Sequence, residues 1–253
     1  DLGLEAKSVY ILDLTENKTI YEKNALEVRP LASLTKLMTA LLLEEKVPAG
    51  FYIPVSGEAI RQEGDDGFRA GEKFRKKDLI DIILVASSND ASYAAAEFVG
   101  AALEGGDGAS VSRFVALMNE RAQELGLLKT SFLNANGLDA EVNFEKIPGA
   151  SGTAFETARL LEFIFKNHTG LIERARSEEF EIVSEKGRRL KVHPKLPKTR
   201  LHKAVQRCLG SKDSYKLWQN QVEDIQVEGY GRLGDIPRAT LDHVERRVAI
   251  SYG

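Results

Sequence analysis

Apolar positions along this chain change period from stretch to stretch, and each change predicts a different kind of element. Ser8-Val9-Tyr10-Ile11-Leu12-Asp13-Leu14 is rich in β-formers. Glu16-Asn17-Lys18 follows as a turn and Thr19-Ile20-Tyr21-Glu22 as a partner strand. Pro30 bars helix just upstream of Ser33, and the apolar run beyond it, through Leu37, Met38 and Leu41 to Leu43, reads as a buried helix. Residues 53–55 and 68–74 predict short strands or loops among Gly57, Gly64, Gly67 and Gly71. Leu79, Ile82 and Ile83 recur at helical spacing, so residues 78–85 predict a short helix. It ends at Ala86-Ser87-Ser88-Asn89-Asp90, a polar break before a second helix from Ala91 to about Val99.

Past the loop Gly105-Gly106-Asp107-Gly108, Ser110 caps the clearest amphipathic helix, with Val111, Phe114, Val115, Met118, Ala122 and Leu125 on one face and Gly126 as its stop. Residues 130–152 have no convincing period and predict a long excursion with turns at Asn136-Gly137 and Pro148-Gly149. Thr153-Ala154-Phe155-Glu156 fits a capping box for the helix that carries Leu160, Leu161, Phe163, Ile164 and Phe165. Phe180 to Val183 and Arg189 to Val192 flank a turn and predict a hairpin. Strands, then a helical middle, then strands predict an α/β (α+β) fold. One antiparallel sheet from both chain ends, about 1–30 and 180–253, would be flanked by helices, with a mainly helical inserted subdomain at about 50–152 of a single domain spanning 1–253.

Composition changes this picture little. At 253 residues, 43% hydrophobic and 29% charged, the chain is an ordinary globular one with a sizeable core. Its net charge of −3 does not point to nucleic acid. The charge is uneven: residues 1–185 carry 20 Lys and Arg against 31 Asp and Glu, and residues 186–253 carry 15 against 7. A basic C-terminal part could line a site for an anionic ligand, although a solvated face is its ordinary cause. Cys208 is the only cysteine, which excludes an internal disulfide. The stretch shows neither a signal peptide nor an apolar run of membrane-spanning length, and a start at Asp1 without a methionine would fit a processed or trimmed chain, from which export is the expectation.

Candidate chemistry centres on Ser33-x-x-Lys36. One helical turn separates the two side chains on a shared face. A lysine inside an apolar helix is expected to lose charge on burial, and the neutral amine can then take the proton of the serine hydroxyl. The helix N-terminus would add a positive field and N–H groups where an oxyanion forms. So short a pattern ordinarily means a helix cap beside a snorkelling lysine. Here it is joined by Ser87-Ser88-Asn89, placed in the break between two helices.

Together these motifs resemble those of the serine D-alanyl-D-alanine carboxypeptidases, low-molecular-weight penicillin-binding proteins of the β-lactamase/transpeptidase-like superfamily. The likeness extends through Val9 to Leu14, Tyr21 to Ala25, Arg29 to Ala40, Gly71-Glu72-Lys73, Ser87 to Ala91, Phe114 to Asn119 and Glu124 to Leu127. It continues through Thr130-Ser131-Phe132, Asn136-Gly137-Leu138-Asp139 and Thr157-Ala158-Arg159, covering roughly residues 8–193. The resemblance implies Ser33 as the acylated nucleophile and Lys36 as its general base. Ser87 would relay the proton toward the leaving amine, and Asn89 would hold Lys36 and hydrogen-bond the substrate amide.

The third motif of such proteins, Lys-Thr-Gly on a strand edging the site, departs here to Gly210-Ser211-Lys212-Asp213-Ser214-Tyr215. Lys212 would meet the substrate's terminal carboxylate. Asp213 replaces a hydroxyl donor with a group that repels that carboxylate, and Ser214 replaces a glycine that admits close backbone approach. The Tyr215 N–H would complete an oxyanion hole with that of Ser33. Lys198-Thr199-Arg200 is a lesser candidate, lying early and lacking the glycine. Residues 219–242 are charge-rich and broken by Gly229, Gly231 and Gly234, and only residues 244–250 resemble a final strand.

The resemblance implies a serine D,D-carboxypeptidase acting on the D-Ala-D-Ala end of peptidoglycan stem peptides through an acyl-enzyme, with β-lactams acylating the same serine. It implies no cofactor and no nucleic-acid partner. His193, His202 and Cys208 match no zinc spacing, so no metal is expected. The location would be extracytoplasmic, with any membrane association made through a segment outside this stretch. The alternatives are a non-catalytic or impaired penicillin-binding homologue, favoured by Asp213 and Ser214, and a class A-type β-lactamase, for which residues 130–152 offer no clear deacylating glutamate motif.

Overall fold

The computed structural model describes residues 6–103, 110–142, 144–174 and 180–193, together with the backbone of three later strands at 226–227, 231–232 and 247–252. Strand β1 (Ser8–Asp13) pairs antiparallel with β2 (Lys18–Lys23) on one side and with the last strand of the chain on the other. Its central place explains why β1 is buried on both faces, whereas β2 is mostly exposed and carries lysines along the edge. Asp13 Oδ1 accepts from Thr15 N (2.9 Å) and Glu16 N (3.1 Å), which turns the chain between the two strands.

The two-residue strand β3 (Arg29–Pro30) leads into a 3-10 turn, Ala32–Leu34, and then helix α1 (Thr35–Lys46). Residues Thr35 to Leu43 of α1 are all buried, the polar Thr35, Lys36 and Thr39 among them. Strand β4 (Tyr52–Pro54) pairs with β5 (Lys73–Arg75), and β5 runs straight into α2 (Lys76–Val85). Helix α3 (Asn89–Leu103) begins two residues before the expected Ala91, because Ser88 caps it: Ser88 Oγ accepts from Ala91 N at 3.0 Å. Helix α4 (Ser110–Glu124) crosses α3 at Gly100, where a Cβ would stand 1.7 Å from Ser110 O.

Residues 130–152, expected to lack regular elements, contain four short strands: β6 (Ser131–Phe132), β7 (Ala140–Val142), β8 (Glu145–Ile147) and β9 (Ala150–Gly152). Strands of two or three residues leave no period to detect. β9 lies between β3 and β6 and so brings this excursion against the turn that carries Ser33. Helix α5 (Ala154–Asn167) is capped by Thr153, whose hydroxyl accepts from Glu156 N at 3.0 Å. The Glu156 carboxylate accepts instead from Lys129 N (2.9 Å) and Thr130 Oγ1 (2.6 Å), fastening the start of the excursion to α5. α5 packs across β1 through an edge-on contact between Phe155 and Tyr10 and is followed by the short helix α6 (Thr169–Arg174).

The predicted hairpin forms as β10 (Phe180–Val183) and β11 (Arg189–Val192). Among the described residues its strands pair only with each other, as do β12 (Gln226–Val227) and β13 (Gly231–Arg232). Strand β14 (Arg247–Tyr252) is the antiparallel neighbour of β1, so the two ends of the chain meet in one sheet, as the order of elements along the chain predicts, whereas the hairpin at 180–192, expected in that same sheet, is not one of its strands. No helix among the described residues is long and apolar enough to cross a membrane.

The β10–β11 hairpin clasps the loop that precedes β5. Arg188 forms a two-pronged ion pair with Glu72 and donates to Gly67 O at 3.0 Å, and Glu185 N donates to Lys73 O at 2.8 Å. The Arg188 guanidinium holds the Glu72 carboxyl below the usual glutamate range, against the opposing effect of burial and with help from the Arg69 N–H. A carboxyl with a lower pKa folded than unfolded stabilises fully above the unfolded value, about 4.3, and the contribution disappears as pH falls through the folded value. Arg188→Met is therefore expected to cost about 2 kcal/mol at pH 7. Urea unfolding at a series of pH values should show the gap from the unsubstituted protein closing as the solution is taken below the ordinary glutamate range.

Candidate active site

Three hydroxyl and amine groups from separate elements converge at the N-terminal end of α1. Ser33 lies in the middle of the 3-10 turn rather than in the first α-helical turn expected for it. Leu34 N donates to Leu31 O at 3.0 Å, and Ala32 adopts a left-handed backbone, φ +45°. That sharp entry after Pro30 leaves Ser33 only half-buried, while Lys36, just inside α1, is 2% exposed. Lys36 Nζ donates to Ser33 Oγ at 3.2 Å and to Asn136 O at 2.6 Å.

Ser87 reaches the same point from the break between α2 and α3. Its hydroxyl donates to Ser33 Oγ at 2.9 Å. Its backbone is left-handed, φ +54°, a conformation that costs a non-glycine residue energy and is held only where its surroundings impose it. The two serines divide the work of this break. Ser88, fully buried, caps α3 and bonds with Ser92, which leaves Ser87 to turn toward Ser33. Helix capping, the ordinary meaning of such a polar break, is thus done by one serine and not by the other.

Asn89 heads α3 and is half-buried, and its Nδ2 donates to Glu63 O at 2.6 Å. Lys36 Nζ, whose hold the resemblance assigns to Asn89, donates to a main-chain carbonyl, that of Asn136. Lys212, Asp213, Ser214 and Tyr215, and with them the lesser candidate at 198–200, lie outside the described residues. So do His202 and Cys208.

The sequence marks the loop carrying Asn136 as a turn and as part of the resemblance, Asn136-Gly137-Leu138-Asp139, but no side-chain pattern announces the contact its main-chain carbonyl makes with Lys36. Asn119 of α4 grips its entrance, donating to Phe132 O and accepting from Phe132 N, both at 2.9 Å. Asn134 then folds the loop on itself, donating to Leu138 O and accepting from Gly137 N, both at 2.7 Å. Thr39 Oγ1 of α1 donates to Ala135 O at 2.6 Å, so the loop is bonded along α1 at two successive turns. Gly137 has φ +81°, and a Cβ there would stand 1.8 Å from Ala32 O. In the sequence, Asn136-Gly137 is a dipeptide suited to left-handed backbone.

Chemically, a half-exposed hydroxyl with a buried amine on one side and a second hydroxyl on the other is suited to nucleophilic attack and proton relay. A family model described as D-alanyl-D-alanine carboxypeptidase, peptidase S11, matches residues 2–200. The chain is 37% identical over 150 residues to D-alanyl-D-alanine carboxypeptidase DacF of Bacillus subtilis, covering 57% of this chain and 36% of that protein. It is 30% identical over 170 residues to D-alanyl-D-alanine carboxypeptidase DacC of Escherichia coli, covering 62% and 39%. The match therefore spans less than half the length of these curated relatives. In fold, the chain is similar to a D-alanyl-D-alanine carboxypeptidase of Mycobacterium tuberculosis, with a TM-score of 0.63 at 19% identity, covering 76% of this chain and 67% of that one. It is also similar to a peptidoglycan synthesis regulatory factor of Streptococcus pneumoniae, with a TM-score of 0.66 at 20% identity, covering 78% and 61%.

The contact between Gly137 and the nucleophile turn yields a direct expectation. Gly137→Ala forces a side chain into Ala32 O and strains a left-handed residue, which should cost about 3 kcal/mol and lower the melting temperature by several degrees. An unchanged melting curve would show that the loop is not pressed against the turn.

Proposed function

The chain belongs to the D-alanyl-D-alanine carboxypeptidase family, and from that premise we propose that it is a serine hydrolase that removes the terminal D-alanine of peptidoglycan stem peptides. The observation that carries the reading is the convergence of Lys36 Nζ and Ser87 Oγ on Ser33 Oγ, at 3.2 and 2.9 Å. Burial favours the uncharged amine of Lys36 over an ammonium. The hydroxyl hydrogen of Ser33 then turns toward the Nζ lone pair along the same contact. Ser33 attacks the carbonyl of the penultimate D-alanine as Lys36 takes its proton. Ser87 passes a proton on to the leaving amine, the terminal D-alanine departs, and water hydrolyses the ester.

Asn89 serves substrate binding in this scheme. Its amide, which donates to the Glu63 carbonyl, would leave that partner to meet the substrate amide. The Ser33 N–H, paired with that of Tyr215, receives the oxyanion, and Lys212 receives the terminal carboxylate. β-Lactams acylate Ser33 in the same way because they present a strained acyl group to it. The reaction takes place outside the cytoplasm, where peptidoglycan is, and uses neither cofactor nor metal. A single catalytic domain over residues 1–253 carries it.

A second reading, an impaired penicillin-binding homologue, is favoured by Asp213 and Ser214, which stand where a hydroxyl donor and a glycine would serve the substrate carboxylate. Incubation with a fluorescent penicillin distinguishes the two. The enzyme is expected to take one stable label that Ser33→Ala abolishes, and Lys36→Met should slow labelling by roughly 10²- to 10⁴-fold, as loss of a general base does. Intact protein that takes no label supports the impaired homologue. Rapid turnover of the penicillin without an adduct points to a β-lactamase.

A further inference from the structure

We propose that Gln62 is a positioning residue for Lys36, acting through Asn136. The inference deepens the reading above and rests on it. Lys36 Nζ is fixed by a peptide carbonyl, and such a group has no side chain to aim it; its direction follows from the torsions of its own residue. Asn136 is 4% exposed and its side-chain amide is tied at both ends. Oδ1 accepts from Leu138 N at 3.1 Å, a bond within the loop, whereas Nδ2 donates to Gln62 Oε1 at 3.0 Å, across 74 residues of sequence. With both ends of that amide held, the Asn136 peptide has little freedom to rotate, and its carbonyl stays 2.6 Å from the amine.

Gln62 is itself oriented for the task. It closes the 3-10 turn Ala59–Arg61, its N–H donates to Ala59 O at 3.2 Å, and its Nε2 donates to Glu58 O at 3.3 Å, which turns Oε1 toward Asn136. The next residue, Glu63, accepts from Asn89 Nδ2 through its carbonyl. Two consecutive residues therefore touch the two sides of the site, the loop that steadies Lys36 and the head of α3. The far end of the same segment is the one clasped by Arg188, through Gly67 and Glu72. Gln62 thus links a surface clasp to the placement of the catalytic amine without meeting substrate or Ser33.

The test uses the full chain with Gln62→Met, which keeps length and removes the acceptor, and Gln62→Glu, which keeps an acceptor. The readouts are the saturated rate of acylation by a fluorescent penicillin, the penicillin concentration giving half that rate, and the melting temperature. Gln62→Met should lower the saturated rate about tenfold or more, with the half-saturating concentration and the melting temperature little changed, because misplacing a reacting group acts on the chemical step. Gln62→Glu should keep most of the rate. A Gln62→Met protein that acylates at the unsubstituted rate overturns the inference, as does a Gln62→Glu protein as slow as Gln62→Met, or a loss confined to the half-saturating concentration or to thermal stability. An unsubstituted protein that takes no label overturns the hydrolase reading and this inference with it; a labelled one with an unaffected Gln62→Met overturns this inference alone.

Discussion

A lysine amine taken out of water has to be met by acceptors, and that requirement organises the centre of this molecule. Lys36 is 2% exposed, and its Nζ lies between the Ser33 hydroxyl and the Asn136 carbonyl. Burying such a group without partners is far more costly than any single packing contact gains. The surroundings are accordingly built to deliver those partners. The 3-10 turn after Pro30 presents Ser33, and a loop a hundred residues further along presents the carbonyl.

That loop shows how much scaffold one main-chain oxygen requires. Asn119 of α4 fixes Phe132, Asn134 closes the loop on itself, Thr39 of α1 bonds to Ala135, and Glu156 of α5 holds Lys129 and Thr130. Three helices therefore contribute to the position of a single peptide group. The strap at 62–63 adds a fourth hold, reaching both Asn136 and Asn89. The helical middle of the chain is in this sense a jig for the lysine, and the sheet formed by the chain ends supports α5 from behind.

Much of this was legible in the sequence where elements are long. The paired strands β1 and β2, the amphipathic helix from Ser110, the capping hydroxyl of Thr153 and the β10–β11 hairpin all follow from period and turn chemistry. Ser33, Lys36 and Ser87 were legible as a constellation because side chains carry type and spacing. The Asn136 carbonyl was not, since every residue has one. Strands β6 to β9 were missed because two or three residues cannot display alternation. Glu156 was expected to complete a capping box, but Lys129 and Thr130, distant in sequence, offered it better-placed donors. The resemblance alone marked out Ser87 from Ser88 in sequence, and in the structure the left-handed turn at Ser87 carries its hydroxyl to Ser33 while Ser88 caps α3.

The central claim is that the amine and two hydroxyls gathered at the start of α1 form one acyl-transfer centre. A crystal structure of the protein soaked with a β-lactam tests it most directly. The account predicts continuous density from Ser33 Oγ to the carbonyl carbon of the opened ring, with Lys36 Nζ and Ser87 Oγ still within hydrogen-bonding distance of the ester oxygen. An opened lactam bonded to any other residue, or an unmodified Ser33 turned away from Lys36 in a crystal whose β-lactam is bound elsewhere, would contradict it.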